Sequence, residues 1–125
     1  MSKRECWRRF KPLPENIREG VSNLSSLFER EGVLLAYLFG SLARQEKGED
    51  IDLAILPSRN NFADLREKIC EPLATERLDL VNLKIASPVL RFEIVSNGIP
   101  IYKRSDVIEN GFELATLREY KDTAY

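Results

Sequence analysis

The chain has 125 residues, 43% of them apolar, with 19 basic and 20 acidic side chains and a net charge of −1. That length suits one domain with a real core, and the near balance of charge argues against a dedicated nucleic-acid binder, which carries a basic surplus. The two cysteines, Cys6 and Cys70, stand far apart and exclude a zinc ribbon or a disulfide framework, while the absence of histidine removes histidine bases, histidine metal ligands and Ser-His-Asp catalysis.

Residues 1–13 form a basic arm, with Lys3, Arg4, Arg8, Arg9 and Lys11 set against Glu5. It reads as a solvated segment that Trp7 and Phe10 could dock on the body, or as a contact for a phosphate-bearing or acidic partner. No apolar stretch follows it as a signal peptide would require, and no run approaches the roughly 20 residues that cross a bilayer. With cysteines unpaired, a reducing cytoplasm is the expected compartment. Residues 14–125 are expected to form the single domain.

Pro14 to Glu31 is predicted as a helix. Proline suits a first helical position, Val21, Leu24, Leu27 and Phe28 recur at three- and four-residue steps, and Gly32 fits a left-handed stop. Val33 to Phe39 is a continuous apolar run and predicts a buried strand. Gly40-Ser41 opens a short segment that ends at a Gly48 turn. Ile51 to Leu56 predicts a second strand, stopped by Pro57.

Asn61 to Ala74 predicts a helix with Phe62, Leu65 and Ile69 on one side. Leu78 to Leu83 alternates as a third strand. Ser87-Pro88 reads as an N-cap followed by a first helical residue, and that helix ends at Gly98. Ile99 to Lys103 is a short strand or extended piece. Ser105 or Asp106 caps a last helix, Asp106 and Glu109 having capping-box spacing. The order α-β-β-α-β-α-β-α predicts an α/β (α+β) domain around a three- or four-stranded sheet.

Asp50 and Asp52 lie two apart at the start of a strand, so period two places them on one face. Two adjacent anions repel unless a cation sits between them. With no histidine, that cation is a hard one held by carboxylates, magnesium or manganese, and it would act as a Lewis acid for phosphate oxygens. Gly40 allows a phosphate close to the backbone, and Ser41 adds a hydroxyl. Asp79 is a third carboxylate among apolar neighbours, costly to bury alone and explained by a nearby metal. Taken singly, these elements are common and most often structural. Their order, strand, Gly-Ser, loop, Asp-x-Asp, helix, strand Asp, is specific.

The stretch "LFGSLARQEKGEDIDLAIL" resembles the signature of the polymerase-beta-like nucleotidyltransferase superfamily. "RLDLVNLKIASPVLRFEIVSNGIPIYKRS" is similar to its minimal nucleotidyltransferase branch, and the likeness covers roughly Val33 to Arg104. The resemblance implies a small mixed sheet with flanking helices and MgATP as substrate. It assigns Gly40 and Ser41 to the triphosphate. It assigns Asp50, Asp52 and Asp79 to a two-metal magnesium site, with Asp79 also a candidate base. Arg44 matches a basic residue that neutralises phosphate, and a salt bridge to Glu46 or Glu49 is its other reading.

Members of this branch act as antitoxins to a HEPN-domain ribonuclease toxin and transfer AMP to a toxin tyrosine. The resemblance therefore implies a protein adenylyltransferase with a HEPN toxin as partner, alone or in a hetero-oligomer. The alternative is a non-catalytic antitoxin that neutralises by binding. An aminoglycoside-type enzyme would need an extra helical region. Two departures stand out: the loop from Leu42 to Glu49 is eight residues where the common pattern has ten, and Asn82 replaces a second aspartate after Asp79.

Overall fold

The computed structural model describes residues 17–40, 43 and 50–123. The basic arm at residues 1–13, the helix start at Pro14, Ser41, Arg44 and the Gly48 turn lie outside the described residues. Two short helices come first, α1 (Ile17–Ser22) and α2 (Ser25–Arg30). Strands β1 (Val33–Phe39) and β2 (Ile51–Pro57) follow, then α3 (Phe62–Leu73), β3 (Leu78–Asn82), α4 (Pro88–Asn97), β4 (Ile99–Lys103) and α5 (Asp106–Thr123).

The first predicted helix is broken in two. Asn23 N donates to Glu19 O and Gly20 O at 3.0 and 3.2 Å, and Leu24 N donates to Val21 O at 3.2 Å. Ser22 and Asn23 are weak helix formers whose side chains compete for backbone groups, and the turn tightens there toward three residues. The apolar steps Val21, Leu24 and Leu27 are themselves three apart, so all three stay buried across the break. Gly32 stops α2 at φ +77°, as the left-handed stop requires. The Asn61 side chain then donates to Glu31 O at 3.1 Å, and Ser58 Oγ donates to Gly32 O, which fixes this corner to the end of β2.

The four strands form one mixed sheet in the order β3-β2-β1-β4. β1 runs antiparallel to β2 and β4, and β2 runs parallel to β3. The parallel pair needs a crossover, and α3 supplies it. Apolar residues alternate to two sides. Ala36, Leu38, Leu53 and Ile55 face α1–α3 with Phe28, Leu65 and Ile69. Leu35, Tyr37 and Ala54 face the other way, against Ile94 of α4 and Ile108 and Phe112 of α5. Both faces of β1 are covered, which is why it reads as an unbroken apolar run.

Helix α4 starts as the sequence predicts, Ser87 Oγ accepting from Leu90 N at 3.2 Å. For α5 the cap is Ser105, whose Oγ accepts from Ile108 N at 3.1 Å. The Asp106–Glu109 capping box does not form. Both carboxylates instead pair with Lys103 Nζ, at 2.8 and 3.3 Å, because β4 ends with that ammonium beside the first turn. Phe92 of α4 stacks on Tyr120 of α5 with centroids 3.9 Å apart, and Arg91 bridges to Glu119 at 2.9 Å. Among the described residues no helix is long and apolar enough to cross a membrane.

Candidate active site

The antiparallel β1–β2 pair and the parallel β2–β3 pair place the end of β1 beside the starts of β2 and β3. Ile51 N donates to Arg77 O at 2.8 Å and begins the β2–β3 ladder. One residue on, Asp52 is the register partner of Asp79 in β3 and of Phe39 in β1. Residues paired in register point to the same face. Asp79, Asp52 and Phe39 thus form a row across three strands, on the side covered further along by α4 and α5. All three are half-buried, as is Asp50, which lies just ahead of β2.

Neighbouring strands are about 5 Å apart, and two unit charges at that separation repel by roughly 3 kcal/mol at an effective dielectric of 20. The row therefore favours positive charge between Asp52 and Asp79. The donor set is carboxylate oxygen, which suits a hard divalent cation. Among the described residues no three acidic or thiol groups converge closely enough to hold a metal ion. The fold thus brings Asp52 and Asp79 together by register and does not draw Asp50 into a three-carboxylate group with them.

Gly40 ends β1 at φ +75°. A methyl group on it would overlap the Asp52 Oδ2 oxygen and stand 3.0 Å from Asp52 Cγ. Only glycine satisfies both the left-handed backbone and the carboxylate packed against it. The sequence reading assigned Gly40 to phosphate approach; its tight contact with Asp52 is a second reason for the glycine. Ser41 and Arg44 of the same expected unit lie outside the described residues. Ala43 packs against the core on the α1–α3 side.

Asn82 is three residues beyond Asp79, on the opposite face, and is the partner of Ile55. Its Oδ1 accepts from Lys84 N at 2.9 Å and turns the chain out of β3. Asparagine there serves that turn and stays out of the acidic row.

A cleft of ≈ 450 Å³ adjoins the row. Phe39, Gly40, Leu90, Glu93, Ile94 and Asn97 line it. The sequence reading missed its α4 side. The signal was the i, i+3, i+4, i+7 spacing of Leu90, Glu93, Ile94 and Asn97, which puts them on one helix face. A hollow of ≈ 740 Å³ runs along α3 and includes Cys70, but α3 packs on the other face of the sheet, away from the carboxylates. Burial pushes the Cys70 thiol up, away from its reactive thiolate form.

The sequence matches the polymerase beta nucleotidyltransferase family over residues 22–107. Solved structures agree. A chain of the complex of tri-AMPylated Shewanella oneidensis HEPN toxin with MNT antitoxin is 26% identical, with a TM-score of 0.66 over 85% of this chain and 87% of that one. A chain of a toxin–antitoxin structure with AMP-PNP is 27% identical, with a TM-score of 0.66 over 82% of this chain and 87% of that one. A chain of the MntA–HepT toxin–antitoxin structure is 25% identical, with a TM-score of 0.65 over 84% and 87%. No match was found among curated proteins. The chain belongs to the polymerase beta nucleotidyltransferase family, and its four-stranded mixed sheet with flanking helices is the fold of these neighbours.

Proposed function

We propose that this nucleotidyltransferase moves AMP from MgATP to a tyrosine hydroxyl of a HEPN-domain toxin, and so acts as its antitoxin. The observation that carries the reading is the register pairing of Asp52 with Asp79 beside Gly40. The similarity to a complex whose HEPN toxin is tri-AMPylated supports the choice of acceptor, and the AMP-PNP structure supports an adenine nucleotide.

In this reading Asp50, Asp52 and Asp79 hold magnesium, which supplies Lewis-acid neutralisation of the phosphate oxygens. Gly40 admits the triphosphate to the backbone, and the Ser41 hydroxyl and Arg44 guanidinium bind its oxygens. Asp79 accepts the proton of the attacking hydroxyl. That oxygen bonds to the α-phosphorus as the bond to the β-phosphate bridging oxygen breaks, and pyrophosphate departs. Positioning and electrostatics supply most of the acceleration. The acceptor arrives on a folded partner, so a domain of this size needs no second lobe to enclose it.

The test is incubation with ATP, magnesium and the HEPN-domain partner, followed by intact mass measurement of the partner. Mass increments of AMP are expected with the wild type and none with the Asp50→Asn/Asp52→Asn double variant. If that variant neutralises the toxin as well as wild type at equal expression, neutralisation is by binding and the enzymatic reading is lost.

A further inference from the structure

We infer that the cleft between the end of β1 and α4 is the nucleobase subsite, and that Glu93 makes it prefer a base carrying an exocyclic amino group. The inference rests on the proposed nucleotidyl transfer and adds to it which residues read the base.

The lateral order of the site carries the argument. Across the sheet, Asp79, Asp52 and Phe39 follow one another on β3, β2 and β1. Asp79, the proton acceptor, marks the side where the attacking hydroxyl enters. Gly40, at the other end of the row, marks the side where the triphosphate meets the backbone. The cleft opens at Phe39 and Gly40, on the triphosphate side and away from Asp79. A nucleoside joined to the α-phosphate there extends into it.

The lining suits that occupant. Its ≈ 450 Å³ lies within the range of small-ligand sites. Phe39, Leu90 and Ile94 give an aromatic ring and two branched aliphatic groups for a flat base to lie against. Glu93 and Asn97, four residues apart on one face of α4, are exposed at its rim. Asn97 both donates and accepts. The ionised Glu93 carboxylate only accepts. It therefore favours adenine, guanine and cytosine, which present an amino group, and opposes the carbonyl that uracil presents in place of cytosine's amino group.

Titration calorimetry of the full chain with magnesium and four probes tests this: ATP, CTP, UTP and inorganic tripolyphosphate. ATP is expected to bind at least about tenfold tighter than tripolyphosphate, the gain of one stacked base. CTP and UTP differ at a single amino-for-carbonyl exchange, so CTP is expected about fivefold tighter. Glu93→Gln brings that pair within about twofold, because an amide offers either edge. Asn97→Trp fills the rim and costs ATP about tenfold while tripolyphosphate affinity stays unchanged. Equal affinity for ATP and tripolyphosphate, or a CTP-to-UTP ratio that Glu93→Gln does not move, overturns the inference. If AMP is nonetheless transferred to the partner, the base subsite alone has failed. If neither ATP nor tripolyphosphate binds, the nucleotidyl-transfer reading falls with it.

Discussion

Asp52 and Asp79 stand directly opposite one another on parallel neighbouring strands. Like charges so placed destabilise a sheet, and a ligand that brings cations between them relieves the repulsion. Magnesium with ATP should therefore raise the melting temperature. At a hundred times Kd the gain is about 3 kcal/mol, or several degrees for a domain of this size. Asp52→Asn should abolish most of that shift. A wild-type melt that MgATP leaves in place would contradict the assignment of the row.

Gly40→Ala tests the tightest contact of the site. The substitution forces a side chain onto φ +75° and into the Asp52 carboxylate. Together these should cost about 1–3 kcal/mol of stability in urea unfolding. They should also cost activity beyond the fraction unfolded, because the relief comes from displacing Asp52. Stability and nucleotide affinity both equal to wild type would show that the turn has room to spare.

The strands were legible because burial on both faces leaves an unbroken apolar run, as in Val33 to Phe39. The family likeness was legible because Gly40, Asp52 and Asp79 sit at fixed places on those runs. Other features depend on packing that no local pattern encodes. The break at Asn23 hides inside an apolar repeat that suits either a continuous helix or a tightened turn. Lys103 takes the Asp106 and Glu109 carboxylates only because β4 ends beside α5. The register that opposes Asp52 to Asp79 comes from the α3 crossover, and the α4 side of the cleft comes from how that helix lies over β1.

Acid should weaken the fold through two exposed carboxylates. A hydrogen bond from Lys68 at 2.7 Å is the main reason that the Glu31 carboxyl is held below its ordinary value. Lys103 does the same to Asp106. A folded-state pKa below the unfolded one gives stability that is present above the unfolded value and lost as pH falls through the folded one. The loss should therefore develop below about pH 4. Glu113 works the other way, since burial raises its carboxyl and favours the protonated folded form. A Glu31→Gln/Asp106→Asn variant should melt lower than wild type at pH 7 and lose less on going to pH 3. An unchanged acid slope would show that these pairs carry no part of it.

Tyr37 offers the clearest stabilising change. Its ring is 1% exposed, and its hydroxyl is buried without a hydrogen-bond partner. Burial pushes the phenol well above its ordinary value, and the nearby Glu113 and Glu109 carboxylates push it further. Above about pH 10 the phenol of the unfolded chain loses its proton while the folded one keeps it. The unfolded state then binds fewer protons, so stability must fall as pH rises through that range. Tyr37→Phe removes both the unsatisfied hydroxyl and this linkage, and leaves the ring packed against Leu35, Ala54 and Ile94. It should gain about 1 kcal/mol at pH 7, where only the desolvated hydroxyl matters. The gain should grow between pH 9 and about pH 11 as the wild type acquires its alkaline loss. Urea unfolding of both proteins at pH 7 and across that alkaline range measures each part separately. A loss of stability at pH 7 would mean that the hydroxyl is satisfied in solution, and parallel alkaline curves would mean that another group governs the high-pH limb.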